Sequence, residues 1–417
     1  MPTDYNSADF SQLYRQFKQQ GRVDDLKRLA GLLSFPDNQI FFATLDEHLE
    51  QLDRGCQLLE ERRDYLKVRQ AEVVRLSERV RSSTSLDELV ELHRRLNVIA
   101  VELYLKGLGV MEIHALITNY RHQLTRRVLE LICRELGPLP CKFAWFNMGS
   151  DGRREQTFFT DQDNALVYAT DGSQAVDDFF AGFAERVVSA LDKVGFALCK
   201  GRIMPSNPDW RGSVEEWRRM LDKIFHDQSQ ENLLRVIILM DIAFSTGDEA
   251  LGRQFSERVH QMIQDNFGAL MVMARSAVMS SVALTMFRNF RLEKSGEHEG
   301  MFNVKLYGWA PLIMTTRVFA LKYAYTDTNT VARIRHLEAG GHFEADFSRQ
   351  LQEAYLVLAN AKFISQVEAV VSGREYDYYL NPESLSEAEQ DRLKQALITV
   401  EALQKLAYNS FFGGGGM

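Results

Sequence analysis

Between residues 149 and 168 the chain reads GSDGRREQTFFTDQDNALVY, and these residue types fall into two sets that could act on one ligand. Gly149-Ser150 follows a short apolar run, Phe143-Ala144-Trp145-Phe146, and can open a short helix whose backbone N–H groups and Ser150 hydroxyl face an anion. Asp161 and Asp163 lie two apart at the edge of a second strand candidate, Ala165 to Tyr168, and side chains at i and i+2 of a strand share a face. Two carboxylates side by side repel unless a cation sits between them. Hard oxygen ligands in that arrangement suit Mg2+, which fills its octahedron with waters and substrate phosphates. Two such ions roughly 4 Å apart would stabilise both the attacking and the leaving oxygen of an in-line phosphoryl displacement. The expected chemistry is nucleotidyl transfer from a nucleoside triphosphate. Asp161 and Asp163 are the catalytic metal ligands in this reading, and Gly149, Ser150, Arg153 and Arg154 hold phosphates, the arginines through their planar multi-donor heads. Glu155 is read as neutralising an arginine or orienting the turn.

Asp-x-Asp and Gly-Ser are each common in loops, so the reading depends on elements that bring them together. The aromatic run 143–146 and the run 165–168 suit buried strands. A helix from Asp177 to Val194 carries Phe179, Phe180, Phe183, Val187 and Leu191 on one face, Gly195 ends it, and Phe196 to Ile203 is a third strand candidate. Ahead of this block the chain is helical. Short amphipathic patterns occur near residues 10–17 and 26–33, and a narrow apolar stripe runs from Leu45 through Leu52, Leu59, Leu66 and Val73 to Val80. That stripe can be a dimer seam over residues 45–80, or it can fold back on the next helices. Ser85-Leu86-Asp87-Glu88 reads as a capping box opening a further helix, and another runs from about Met111 to Leu136 before Gly137-Pro138. Beyond Ser213 helices return at 215–225, 231–244, 252–267, 350–371 and 386–408, the last opened by the capping box Ser386 to Glu389.

The expected fold is therefore α+β and mostly helical, with a small mixed sheet between an N-terminal helical region and a C-terminal helical bundle. The divisions are 1–84, 85–137 as a helical lead-in, 138–225 for the sheet domain, 226–410 for the bundle and 411–417 as a tail. A chain of 417 residues, 45% hydrophobic, can bury cores on this scale. Its net charge of −8 does not favour general attraction to nucleic acid or an anionic membrane. No apolar run approaches the ~20 residues of a membrane span, and MPTDYNSADF lacks the features of a signal peptide, so cytoplasm is the expected compartment. Cys56, Cys133, Cys141 and Cys199 form no Cys-x-x-Cys pair and read as buried thiols.

Gly149-Ser150 with Arg153, Glu155 and Gln156, then Thr160-Asp161-Gln162-Asp163-Asn164-Ala165-Leu166, resembles the signature of nucleotidyltransferases related to the N-terminal domain of protein-PII uridylyltransferase, in the DNA polymerase beta-like superfamily. Cys199-Lys200-Gly201 through Met204, Ser206-Asn207-Pro208, Trp210 and Glu216-Trp217 resemble the family's next block. Gly296-Glu297-His298, Lys305, Gly308, Pro311, Arg317 and Ala320-Leu321 resemble its helical substrate-binding domain, and the likeness spans about residues 86 to 410. The resemblance implies a nucleotidyltransferase domain followed by that helical domain, acting in signalling on a PII-like regulator protein or a small-molecule hydroxyl. Many members place paired CBS domains ahead of it, and residues 1–85 are expected to be too few and too helical for such a pair.

Active relatives commonly add a third carboxylate from the strand after the helix, whereas residues 196–203 hold no acid. Asp209 and Asp241 are the nearest alternatives, and Asp241 reads equally well as a buried acid paired with a base. The missing acid keeps open two other readings, a nucleotide-binding regulatory module of weak activity and a helical interaction scaffold. Arg288, Lys305 and Arg317, with Arg291, could line an anionic-substrate pocket or be ordinary surface and structural charges. His298 between two glutamates reads as a polar turn, and Trp210 and Trp217 as the joint between sheet and helices.

Overall fold

The computed structural model describes residues 45–157, 161–170, 173–227, 229–371, 374–375 and 377–413. The patterns at 10–17 and 26–33, Thr160 and the glycines from 414 lie outside them. Three helices come first, α1 (Leu45–Ser82), α2 (Leu86–Leu105) and α3 (Val110–Leu136). Ser85 caps α2, its hydroxyl accepting from the Glu88 N–H at 3.2 Å. Gly137 at φ +80° closes α3, a conformation that favours glycine. The C-terminal end of α1 folds back on its own chain, with Leu76 and Val80 buried among Leu92, Leu96 and Leu124. Val68 and Val74 of α1 remain 60% and 53% exposed.

The sheet is built from β1 (Phe143–Asn147), β2 (Asn164–Tyr168), β3 (Arg211–Ser213) and β4 (Ala243–Gly247), in the order β3-β2-β1-β4. A short helix, α4 (Gly149–Gly152), follows β1; α5 (Gln174–Val194) follows β2; α6 (Val214–His226) and α7 (Gln230–Leu239) lead into β4. β1 is antiparallel to β2 and β4, and β3 is parallel to β2. Trp145, Leu166 and Tyr168 enter one core with α2, α3 and α5, while Ala144, Phe146, Ala165 and Val167 enter the other with Trp217 and Phe255. Strand alternation with both faces covered explains why these segments are continuously apolar. Trp217 also donates from its indole to the Leu166 carbonyl at 2.9 Å, tying α6 to β2.

Three sequence expectations are corrected. Residues 196–203 form a loop in which Ala197 alone bridges to Asp161; a positive φ at Arg202 (55°) breaks extended geometry. The helix expected over 231–244 ends at Leu239, and the edge strand β4 begins at Ala243, so the sheet continues past the expected boundary at 225. Phe411 and Phe412 belong to the last helix rather than to a tail.

The bundle comprises α8 (Glu249–Asp265), α9 (Phe267–Met279), α10 (Ala310–Lys322), α11 (Thr330–Ala339), α12 (Ala345–Val371) and α13 (Glu387–Phe412). A π-helical turn, Lys305–Trp309, runs into α10, and β5 (Phe302–Asn303) pairs with β6 (Tyr379–Leu380). Ser386 and Glu389 form the expected reciprocal capping box on α13. The fold is α+β and mostly helical, and no helix among the described residues is long and apolar enough to cross a membrane.

Candidate active site

The β1–β2 pairing places the motif. Asn147 lies opposite Asn164, and the Met148 N–H donates to the Asp163 carbonyl at 2.8 Å, so the turn after β1 and the residues before β2 are neighbours. Gly149 adopts φ +57°, and a Cβ there would stand 2.5 Å from Asp163 Oδ2. Only glycine lets the backbone approach the carboxylate so closely. On the other side, Gln162 clasps the loop after α5. Its N–H donates to the Ala197 carbonyl at 2.9 Å, and its side-chain amide donates to the carbonyls of Phe196 (2.9 Å) and Val188 (3.1 Å). The Asn164 N–H donates to the Ile203 carbonyl at 3.0 Å. These bonds pin both ends of residues 196–203 and hold Cys199 over the acid pair.

Asp161, Asp163 and Cys199 thus converge, with one ligand atom of each within 4.8 Å of the others. Asp163 Oδ1 is buried and accepts no hydrogen bond. Burial, then repulsion from Asp161, pushes the Asp163 carboxyl up to about 7, opposed by the Cys199 thiol, Lys305 and Arg153. An orphaned buried oxygen beside a second carboxylate is what a cation relieves, so these residues fit a divalent metal. Asp161 opens into a cleft of about 390 Å3 that Leu198 and Lys200 line from the sheet domain and Lys305, Tyr378, His298, Arg374 and the acids Glu297, Glu375 and Asp377 from the bundle, Arg374 being paired with Asp377. Lys305 Nζ stands 4.6 Å above the Tyr378 ring, and His298 stacks on Tyr379.

The other residues singled out by sequence divide differently. Ser150 donates to Gln156 Oε1 at 2.6 Å. Arg153 turns away from the cleft: its Nε contacts Glu155 at 2.8 Å and its Nη1 contacts Asp241 at 2.6 Å. Arg317 and Arg333 close on the same Asp241, whose carboxylate is almost wholly buried among three guanidiniums. Burial alone would raise that carboxyl, but Arg317, Arg153 and Arg333 hold it well below the usual range. Asp241 is therefore the paired buried acid and not a third member of the metal cluster, and Arg317 is a network arginine rather than a pocket residue. Glu155 also accepts from the Thr330 N–H at 2.8 Å, while Thr328 and Asn329 donate to the carbonyls of Gly152 (2.7 Å) and Arg153 (3.0 Å). The segment 152–155 is thus bolted to the loop before α11. Arg154 bonds Asn119 at 2.7 Å, and Arg288, at φ +62°, pairs with Glu401; neither lines the cleft. Asp209 pairs with Arg235 at 2.7 Å.

Lys200, beside Cys199, has no sequence pattern that marks it as a cleft residue, and neither has Arg374, which follows a long helix in an otherwise ordinary polar stretch. Cys199 looked inert because its ligating neighbours lie almost forty residues earlier in the chain.

A family model described as "Putative nucleotidyltransferase DUF294" matches residues 94–231, and one described as "Putative nucleotidyltransferase substrate binding domain" matches residues 268–411. Together they span about two thirds of the chain. The chain belongs to this nucleotidyltransferase family. Membership supports nucleotidyl transfer as its general activity. The acid pair and the Gly149 turn fall inside the first match, Lys305 and Arg374 inside the second, so the cleft is shared between the two family domains. No curated protein matches the chain.

Proposed function

We propose that the protein is a Mg2+-dependent nucleotidyltransferase that moves a nucleoside monophosphate from ATP or UTP to a hydroxyl of a protein, such as a PII-like regulator, or of a small molecule, releasing pyrophosphate. The observation that carries this reading is the buried, unpartnered Asp163 Oδ1 beside Asp161 at the mouth of a cleft lined by charged side chains of both signs. Asp161 and Asp163 hold the metal, which when bound supplies charge neutralisation at the phosphate under attack. Gly149 and Ser150 lie beside the phosphates, the glycine allowing close backbone approach. Lys200 and Lys305 take over the phosphate-holding role expected of Arg153 and Arg154, because their side chains line the cleft, whereas Arg374 there is already paired with Asp377. The sheet domain acts as the nucleotidyltransferase domain and the bundle presents the acceptor across the cleft.

Incubation with labelled ATP or UTP, Mg2+ and cell extract should label an acceptor, and Asp161→Asn with Asp163→Asn should abolish labelling. Absence of transfer from either nucleotide to any acceptor, with nucleotide still bound, would favour a regulatory nucleotide-binding module. One feature supports that second reading: a thiol, Cys199, stands where a third carboxylate would serve transfer.

A further inference from the structure

We propose that Cys199 is a third metal ligand, which makes the site a trap for a thiophilic divalent cation of the Zn2+ type in competition with Mg2+. This rests on the reading that a cation binds between Asp161 and Asp163, and it adds a regulatory ion to that site.

The geometry of three converging groups carries it. The carboxylates and the Cys199 sulfur lie within 4.8 Å of one another, and Asp163 Oδ1 is buried with nothing to bond. Tetrahedral zinc takes oxygen at about 2.1 Å and sulfur at about 2.3 Å, which sets neighbouring ligand atoms about 3.6 Å apart. A closing movement of about 1 Å, within reach of side-chain rotation, completes an O,O,S set, leaving a fourth position toward the cleft for water or phosphate. The thiol is presented rather than incidental: Gln162 and Asn164, which flank Asp163, fix the two ends of the 196–203 loop. Lys305 reaches the cleft from the bundle side.

Chemistry separates the two ions. Mg2+ takes oxygen ligands and uses the carboxylates, leaving Cys199 as a thiol. Zinc recruits thiolate, so its binding releases the Cys199 proton to solvent as the sulfur–metal bond forms, with no electron transferred. The two ions are thereby distinguished by one side chain.

The test uses the full chain with Co2+ as the spectroscopic probe, Zn2+ and Mg2+ as competitors, and the variants Cys199→Ser, Cys199→Ala and Asp163→Asn, each checked for folding by circular dichroism. Wild type should give a near-ultraviolet sulfur-to-cobalt charge-transfer band that Zn2+ removes, and Zn2+ should bind at least tenfold more tightly than to either Cys199 variant. Mg2+ affinity should differ less than threefold between wild type and the two Cys199 variants, whereas Asp163→Asn should weaken both Mg2+ and Zn2+ at least tenfold. Zn2+ binding should release one proton more in wild type than in Cys199→Ser. A charge-transfer band or Zn2+ affinity unchanged in both Cys199 variants overturns the proposal while leaving the acid pair as a metal site. Failure of wild type to bind any of the three cations, with or without nucleotide, removes both.

Discussion

At the scale of single residues, the polar stretch 149–168 does two separate jobs. Gly149, Asp161 and Asp163 are neighbours in the proposed site, whereas Gly152, Arg153 and Glu155 join the sheet domain to the bundle. Both jobs draw on charge and glycine, which is why spacing alone assigned all of them to one ligand. Asp161 and Asp163 do converge, though both precede β2 and Asp161 forms only an isolated bridge, so their meeting does not come from strand periodicity; the pairing of Arg153 was hidden because its partner Asp241 is 88 positions away. Removing one partner from a buried charge cluster costs about 3–5 kcal/mol, since the remaining charges stay buried and unpaired. Asp241→Asn is accordingly expected to lose about that much stability in urea denaturation, and a loss below about 1 kcal/mol would mean the three guanidiniums do not depend on it. Gly149→Ala should act differently. The positive φ costs about 1–2 kcal/mol, and the methyl group must displace Asp163, so metal affinity in calorimetry should fall at least tenfold while the fold survives.

At the scale of elements, local signals predicted those segments whose ends are fixed locally. The capping boxes at Ser213 and Ser386 are both formed, one unforeseen and one expected, and α3 stops at Gly137. Ser213→Ala should cost about 1 kcal/mol in thermal unfolding, and an unchanged midpoint would show that α6 is held by packing alone. Elements fixed by tertiary contact were misread: β4 is a strand because it pairs with β1, and 196–203 is a loop because Gln162 and Asn164 occupy its carbonyls. Two buried histidines set how the N-terminal helices respond to acid. Burial, then the Arg121 charge, lowers His93 of α2 to about 4; burial, then Lys362 and Arg153, lowers His114 of α3 to about 3. Both are neutral when folded, while in the unfolded chain they take up protons near pH 6.5. Stability contributed by their neutrality is therefore complete above about pH 6.5 and falls as pH drops toward 4, by up to about 3 kcal/mol for each. His93→Gln should flatten the stability profile between pH 6.5 and 4; an unaltered slope in that window would exclude this cause.

At the scale of the whole molecule, the cleft belongs to neither domain alone. Asp161 and Lys200 come from one side and Lys305, Arg374 and Tyr378 from the other. The bolts from Thr328, Asn329 and Thr330 to residues 152–155 join the two domains that line it. The overall order of helical region, sheet and bundle was readable from apolar periodicity; the meeting of Lys305 with Asp161 was not, because it depends on how two domains pack. Assembly through residues 45–80 is a proposal of the same scale, resting on exposed Val68 and Val74. Val68→Glu with Val74→Glu should convert an assembled species to monomer in light scattering, and a monomeric wild type would remove it.

In the proposed function Asp161 and Asp163 hold a cation through which nucleotide binds. Calorimetric titration of non-hydrolysable ATP and UTP analogues, with Mg2+ and with chelator, measures this without needing the acceptor. Wild type should bind one of them at least tenfold more tightly with Mg2+, a difference of about 1.4 kcal/mol, and Asp161→Asn with Asp163→Asn should erase that gain. Equal affinity with and without metal in wild type, or a gain that survives in the double variant, would contradict the account.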